Sequence, residues 1–372
     1  LPPDAAALAP TTLIDRTQIE DSGARSAKDL LVEQSGSGVQ VQAGGGQGHV
    51  SLNGIPNSGV LVLVDGRRFL GKDANGNLNL EELQLAGIDR VEIVKGAASA
   101  LYGSDALGGV INLITRKVLQ PGVRNTMSVT GGSYGDLRVS DTIGVRHGPG
   151  GFTATGQYRS YDGFDLDASN PQTIGQPESR FSNAGGTADL RLADRLDLRF
   201  FGDYSRRKIS NYFFSGPTQL PSTVYDSRRD LTRYTVSPEL SFLPRPGTTL
   251  TASFTYGRYD RDETQVFPDR QVVAVPWREW NREFKATGRH DWTLFGRTHA
   301  LQAGYEFRDE TLDRASLRTD SGAARASRDI NIGWLQQEFH AAARLKLTGG
   351  FRFDSYRDRK STRLNSSHTI QS

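Results

Sequence analysis

The residues best suited to bind something lie between positions 206 and 229. Tyr212, Phe213, Phe214 and Tyr225 are flanked by Arg206, Arg207, Lys208, Arg228 and Arg229. Aromatic faces beside guanidinium groups suit an anionic metal chelate. The same residue types would equally serve an interfacial aromatic girdle whose bases meet phosphates. Asp73, Asn75 and Asn77 have the spacing of the first ligands of a calcium loop. Position six of such a loop would be Leu78 instead of glycine, and position twelve Gln84 instead of glutamate, so a solvated turn is the better reading. Gly44-Gly45-Gly46-Gln47-Gly48 is glycine-rich, yet no helix pattern follows to receive a phosphate. The six histidines are dispersed and there is no cysteine. These features exclude a thiolate metal site or disulfide frame and offer no metal-ligand pairing. No catalytic constellation can be assembled, and the expectation is a protein that is not an enzyme and carries no cofactor.

The formal charge of the 372 residues is +3, and the charges are scattered, with no basic helix or stripe to suggest nucleic acid. Mean hydropathy is −0.50, and no apolar run approaches the length of a membrane helix. A membrane β-barrel would fit, because its strands alternate lipid-facing apolar with lumen-facing polar residues. Leu1-Pro2-Pro3-Asp4 has neither the basic start nor the apolar core of a signal peptide.

The texture of the chain changes near residue 117. Before it, elements are mixed. Asp15 can cap a helix through Ile19, and Ser26 a second through Leu30 and Leu31, with Asp29 in its first turn and Gly36 as a stop. Val39 to Gln42 alternates like a strand. Leu61 to Val64 is continuously apolar, hence a strand buried on both faces. Asp65-Gly66 then turns the chain into Arg67-Arg68-Phe69, a hairpin signal. Asn79 with Glu82 suggests a capping box opening a helix over Leu80 to Leu85. Ile88 to Val94 and Val110 to Ile114 read as strands able to pair.

After about Arg124, period-two alternation dominates. Leu250, Ala252, Phe254 and Tyr256 alternate with Thr251, Ser253 and Thr255; Leu301, Ala303, Tyr305 and Phe307 alternate with Gln302, Glu306 and Arg308. Roughly eleven such segments occur, most about ten residues or longer, as tilted membrane strands require. Short connections (His147–Gly151, Ala193–Arg195, Pro244–Gly247, Phe295–Arg297 and one near Arg344) alternate with long ones (Asp162–Arg180, Ile209–Arg228, Arg261–Val275 and Leu312–Ser327). Bacterial outer-membrane barrels sort their loops this way, with short periplasmic turns and long extracellular loops. A soluble sandwich has no reason to do so.

Val60 to Arg68 and Ile88 to Lys117 carry a resemblance to a known family. Val60-Leu-Val-Leu-Val-Asp65-Gly66-Arg67-Arg68 resembles the hairpin of TonB-dependent receptor plugs. The run through Glu92, Lys95, Gly96, Tyr102, Gly103, Gly108, Gly109 and Asn112 is similar to that family's most recognisable segment. Glycines at 96, 103, 108 and 109 break the strand-turn-strand path into tight corners, and most of these residues read as packing. The resemblance implies an α+β plug domain at residues 1–117, followed by antiparallel transmembrane β-barrel strands at 118–358. Residues 359–372, polar and without period, read as a non-native or disordered tail. The family's plugs usually carry Arg-Gly where this chain has Asn53-Gly54. Asparagine cannot form a bidentate ion pair with barrel carboxylates, so the usual plug–barrel contact is in question.

Eleven strands about 4.8 Å apart and tilted about 40° would close at a radius of about 11 Å, and twenty-two at about 22 Å. A plug of this size needs an outer radius near 17 Å. The expectation is therefore about eleven strands of a 22-stranded plugged barrel. The resemblance further implies active uptake of a scarce, large substrate across the bacterial outer membrane, energised through TonB. A ferric siderophore comes first, with haem or cobalamin behind it, and outer-membrane lipid and lipopolysaccharide as surroundings. A receptor acting mainly in signalling or in phage or bacteriocin docking is one alternative. A soluble β-rich binding protein or enzyme is another. Plug loops at Asn57-Ser58 and Gly71 to Asn77 are implied to face the extracellular cavity, making Asn57, Ser58, Asp73, Asn75 and Asn77 candidate substrate contacts beside Arg206, Arg207, Tyr212, Phe213, Phe214 and Arg228.

Overall fold

The computed structural model describes residues 11–362 apart from 25, 34–38, 45–46, 53, 56–58, 72–77, 96–103, 166–173, 215–223, 268–271, 315–323 and 343–344. The N-terminal unit is built on one small sheet. Strands β1 (Thr11–Ile14), β4 (Val60–Val64), β5 (Arg67–Arg68), β6 (Ile88–Lys95) and β7 (Gly109–Thr115) lie in the order β1-β6-β7-β4-β5. The pair β4 and β7 is parallel and the others are antiparallel. As the apolar runs require, β4 is buried on both faces. Val60 and Val62 enter the main core with Ile93, Ile111 and Leu113, while Leu61 and Leu63 pack with Val94 and Val110 behind the sheet.

Two short helices cover the main core. Helix α1 (Arg16–Asp21) opens with a closed capping box, in which Gln18 N donates to Asp15 Oδ1 and Asp15 N donates to Gln18 Oε1, both at 2.9 Å. Helix α2 (Ala27–Glu33) buries Leu30 and Leu31, and Asp29 N donates to Ser26 Oγ at 3.4 Å. The Gly36 stop lies outside the described residues. Strands β2 (Val39–Gly44) and β3 (Gln47–Leu52) pair as a separate antiparallel ribbon on either side of the glycine-rich run.

One expected helix is shorter than its sequence suggests. Residues 80–85 hold only a single 3₁₀ turn, Leu80–Glu82. Glu81 N donates to Asn79 Oδ1 at 3.0 Å, so the cap itself forms. The Glu82 carboxylate does not return to complete the box, because it is drawn to Arg233 at 3.4 Å. A backbone bridge between Gln84 and Ser26 then ends the turn.

The rest of the chain is one eleven-stranded antiparallel meander. Its strands are β8 (Gly122–Gly131), β9 (Leu137–His147), β10 (Gly150–Tyr161), β13 (Glu178–Ala193), β14 (Leu196–Phe214), β15 (Val224–Phe242), β16 (Thr248–Val266), β17 (Val272–Leu294), β18 (Arg297–Arg314), β19 (Ala324–Ala342) and β20 (Leu345–Thr362). A two-stranded ribbon, β11 (Phe164–Asp165) with β12 (Ile174–Gln176), sits in the connection before β13. The sheet is open, since β8 and β20 do not pair with one another. Neither a small closed cylinder nor a sandwich of two layers is formed.

The strands are longer than the alternation alone indicated. Those from β13 to β20 run 16 to 23 residues, and much of the sequence expected as long loops is taken into paired strand. A strand of 19 residues tilted about 40° rises about 48 Å, roughly twice the apolar height of such a barrel. The excess stands on the long-loop side. Likewise β20 continues past the expected limit at 358, pairing with β19 as far as Thr362 against Ala324.

The two faces of this sheet are inverted relative to a soluble protein. Phe200, Tyr204, Leu240, Leu250, Phe254, Phe284, Leu301, Tyr305, Leu335 and Phe353 are exposed on the outer face. Thr153, Ser205, Arg233, Ser237, Thr255, Asn281, Glu306, Arg308 and Gln336 are buried on the inner one. Hydroxyl pairs satisfy part of that inner face, with Thr142 to Thr155 at 3.0 Å and Ser237 to Thr255 at 2.9 Å. The outer apolar band has a sharp upper edge. Tyr204 pairs with Tyr234, Tyr234 packs 5.9 Å from Tyr256, and the next outward residues are Arg206, Thr232 and Arg258. From Leu250 to Tyr256 and across the flanking turns the band is roughly 20 Å tall, the scale of a lipid-facing girdle. No helix among the described residues is long and apolar enough to cross a membrane, which does not bear on strands.

Candidate functional site

Four of the plug signature residues, Asp65, Gly66, Glu92 and Asn112, gather into one hydrogen-bonded hub. The hairpin after β4 turns on Asp65 and Gly66, at φ 48° and 79°, the left-handed pair a tight type I′ turn needs. Asp65 N donates to the Leu113 carbonyl at 2.8 Å, and the Asp65 carboxylate accepts from Thr115 N at 3.0 Å and from Thr115 Oγ1 at 2.5 Å. Gly66 N donates to Asn112 Oδ1 at 3.0 Å, and Asn112 Nδ2 donates to Glu92 Oε2 at 3.3 Å. Asp65, Gly66, Asn112 and Glu92 thus tie three strands together, and each buried polar group has its partner. Gly109 adopts φ 137°, where a side chain would strike the Val94 carbonyl and Leu52. Gly108 N donates to the Gly59 carbonyl at 2.9 Å. Lys95 ends β6, and its side chain lies outside the described set, as do Gly96, Tyr102 and Gly103.

This unit is seated against the polar, inner face of the meander. Glu81 is held between Lys28 Nζ at 2.6 Å and Arg207 Nη2 of β14 at 3.0 Å. Burial opposes its charge, but Arg207 and Lys28 together bring the Glu81 pKa below the ordinary carboxylate value. Glu82 faces Arg233 of β15. Its complete burial outweighs the pull of Arg233, Arg207 and Arg261, and its pKa is raised. The Arg233 guanidinium also lies 3.7 Å from the centre of the Phe69 ring.

Further contacts continue along the seam. Arg68 pairs with Asp105 at 2.7 Å, and Arg308 of β18 reaches the same Asp105 at 3.7 Å. Arg308 is also paired with Glu306, with Glu310 at 3.1 Å and with Glu283 at 3.6 Å. Gly71 N donates to Glu279 Oε2 at 3.0 Å, and Gln157 Nε2 donates to Gln84 Oε1 at 3.2 Å. At the long-loop end, Leu70 is enclosed by Ile209, Leu231, Tyr259 and Trp277, with Leu312 beside them. A dry apolar anchor at one end and paired charges along the seam produce a docked but largely polar interface.

The question raised by Asn53 concerns one contact, and ion pairs between the plug and the wall form elsewhere on the seam. Asn53 itself lies outside the described residues, but Glu81, Glu82 and Asp105 meet Arg207, Arg233 and Arg308 instead.

The structure places the basic residues of the proposed substrate patch on opposite faces of the wall. Alternate residues of a strand face opposite sides, so Arg206 points outward to Asp230 at 2.5 Å while Arg207 points inward to Glu81. Arg228 is outward and paired with Asp226 at 3.1 Å. Tyr212, Phe213 and Phe214 are not in a loop: their backbone pairs with Asp226, Tyr225 and Val224 within β14 and β15. Asn57, Ser58, Asp73, Asn75 and Asn77 lie outside the described residues, as does the Asp73 turn. Among the described residues no cluster of three or more histidine, aspartate or glutamate side chains could hold a metal ion.

Sequence reasoning missed Glu81, Glu82, Leu70, Arg233, Glu279 and Arg308. A signal was present for the wall residues. Arg233, Glu306 and Arg308 occupy the polar phase of strands that alternate strictly, and such charges facing a lumen need partners there. Nothing local marks Glu81 or Leu70, whose wall partners lie more than a hundred residues away.

Comparisons with known proteins agree with this geometry. Residues 3–110 match the family described as the TonB-dependent Receptor Plug Domain. The ferric-catecholate import receptor Fiu of E. coli superposes with a TM-score of 0.75 at 14% identity, over 95% of this chain and 60% of its own. FpvA of P. aeruginosa, solved with iron-loaded heterologous pyoverdine, gives 0.78 at 17% identity, over 95% of this chain and 52% of its own. The ferric enterobactin receptor PfeA of P. aeruginosa gives 0.74 at 18% identity, over 96% and 59%. The chain thus spans between half and three-fifths of the solved structures it matches.

Proposed function

Starting from a TonB-dependent receptor's plug and an eleven-strand stretch of that receptor class's barrel wall, we propose that the protein takes up an iron chelate of the ferric-siderophore class across the bacterial outer membrane. The observation that carries this reading is the seated plug. A globule occupies the polar, concave side of a sheet whose other side is apolar. A passive pore for small solutes would keep its lumen open, whereas a stoppered wall requires energy to pass cargo. TonB, acting from the periplasmic side, supplies that energy by loosening the plug. Plug–wall contacts made of ion pairs and hydrogen bonds favour this role, because water can replace them as the plug shifts. A dry hydrophobic seam would resist it. Two of the similar structures reported above are described as receptors for iron chelates and the third holds one, which supports that class over haem or cobalamin.

The test is accumulation of iron-55 siderophores in cells whose other siderophore receptors are deleted and which express the complete open reading frame containing this chain. Uptake should disappear on deletion of TonB or on addition of a protonophore. Accumulation indifferent to both would sink the proposal. Uptake of cobalamin or haem with no iron-chelate uptake would replace the substrate class while keeping the mechanism.

A further inference from the structure

A cavity of about 700 Å³ lies between the Asp65–Arg67 hairpin and the wall. Its wall residues, including Arg199, Glu239, Thr249, Lys285, Arg289 and Gln302, come from the ends of β14 to β18 that meet the short turns. It therefore opens on the side opposite the Leu70 anchor. The volume falls in the range of sites that hold small-molecule ligands.

The lining has two properties of a place where an anion can rest and leave. Six basic side chains face three acidic ones, and seven serine or threonine residues fill the remainder. Several of the bases are already neutralised: Arg199 by Glu239 at 2.9 Å, Arg90 by Glu92 at 2.9 Å and Arg289 by Asp291 at 2.7 Å. Two are not. Half-buried Arg67 donates from Nη1 to the Asp65 carbonyl at 3.1 Å and lies 4.6 Å over the Phe201 ring, but its buried Nε has no hydrogen-bond partner among the described residues. Lys285 makes no direct ion pair among the described residues. The nearby Glu283 and Glu306 are engaged by Arg308. Burial lowers the Arg67 pKa, against the opposing pull of Asp65, Glu239 and Glu283.

We propose that this cavity is a second, transient binding site for polyanionic chelates, on the short-turn side of the plug, with Arg67 and Lys285 as its anion contacts. The proposal rests on the uptake reading above for its physiological cargo. Cargo that has passed the plug would meet a cationic, hydroxyl-lined space that holds it weakly, without the bidentate pairs that would trap it.

The probe is pyranine, a fluorescent pyrene trisulfonate, titrated into the detergent-solubilised full chain and followed by anisotropy. Saturable binding that weakens as salt rises is expected. Lys285→Gln and Arg67→Gln should each weaken it at least fivefold, and Arg297→Gln, on an exposed short turn, should leave it unchanged. Should Arg67→Gln fail to fold through loss of its stack on Phe201, Lys285→Gln alone decides. Absence of saturable binding, or binding equally strong in the cavity variants and wild type, overturns the proposal. Pyranine binding by a protein that fails to transport any iron chelate would instead refute the uptake reading and leave this site standing.

Discussion

Replacing Arg233 by alanine should undock the plug at its most buried charge. Arg233 is 4% exposed and Glu82 6%, so the glutamate left behind has little access to water. It can stay charged, at the roughly 3–5 kcal/mol typical of a broken buried pair. It can instead take up a proton, which at pH 7 costs about 3.7 kcal/mol from an ordinary glutamate value. The cheaper route sets the limit, and loss of the contact with Phe69 adds about 1 kcal/mol. Arg207 remains close enough to offset part of this. The expected loss is therefore about 3–4 kcal/mol, some hundred- to thousandfold in the docked population. At pH 5 protonation is about 2.7 kcal/mol easier, so the loss should fall to roughly 2 kcal/mol or less. Hydrogen exchange of the amides of Leu83 and Ala27, which donate to the carbonyls of Leu80 and Leu83, reports the docked fraction in detergent. Arg206→Ala, which breaks the exposed pair with Asp230, should cost less than about 1 kcal/mol. The paired change Arg233→Met with Glu82→Leu should recover most of the stability. If Arg233→Ala and Arg206→Ala lose equal protection, or the Arg233→Ala loss is the same at pH 5 and pH 7, the assignment of Glu82 and Arg233 as a buried plug–wall pair is wrong.

Other outcomes follow from the same contacts. Glu82 and Glu81 should give opposite pH dependences. The raised pKa of Glu82 contributes stability that is present below the ordinary glutamate range and is lost as pH rises through the raised value. The lowered pKa of Glu81 contributes stability present above that range and lost as pH falls through the lowered value. Urea midpoints of the plug transition across pH should thus lose their slope above about pH 4.3 in Glu82→Gln and below it in Glu81→Gln. Gly257→Val should cost roughly 1–3 kcal/mol of plug docking by the same exchange measurement, because an added Cβ would lie 2.7 Å from Leu70 Cδ1. Gly333→Val, with open space at that position, should leave docking unchanged. Phe295 sits at φ 52° and is 94% exposed in a two-residue turn with Gly296. Phe295→Asn should raise the thermal midpoint by the equivalent of about 0.5–1 kcal/mol, and a fall would show that the ring has a partner outweighing the strain.

The sequence carried the fold further than the site. The unbroken apolar run Val60 to Val64 announced a strand buried on both faces, and strict alternation such as Leu250 to Tyr256 announced a two-faced sheet. Both are local signals of period and composition. Strand length was less legible, because beyond the apolar band the strict two-residue period breaks down. Stretches such as Lys208 to Phe214 then lose the alternation that marks a strand while keeping the backbone pairing. The helix expected at Leu80 to Leu85 was cut short by a tertiary demand, since Glu82 is more valuable to Arg233 than to its own cap. Which way each base of the proposed patch points was not legible: Arg206 and Arg207 are neighbours in the chain and face opposite sides of the wall. Plug–wall partners such as Glu81 and Arg207 are 126 residues apart, and no spacing rule reaches that far.

The account stands on the plug being seated on the inner face of the wall and having to move for cargo to pass. In a cysteine-free chain this can be tested by one tether, Leu70→Cys with Gly257→Cys. A Cβ on Gly257 would lie 3.5 Å from Leu70 Cγ, close to the sulfur-to-Cβ separation of about 3 Å implied by a disulfide's geometry. Oxidation should join the two thiols nearly completely and stop accumulation of the iron chelate, with transport returning on reduction. Two free thiols under oxidising conditions would contradict the seating of the plug, and undiminished transport by the bridged protein would contradict its role as the stopper.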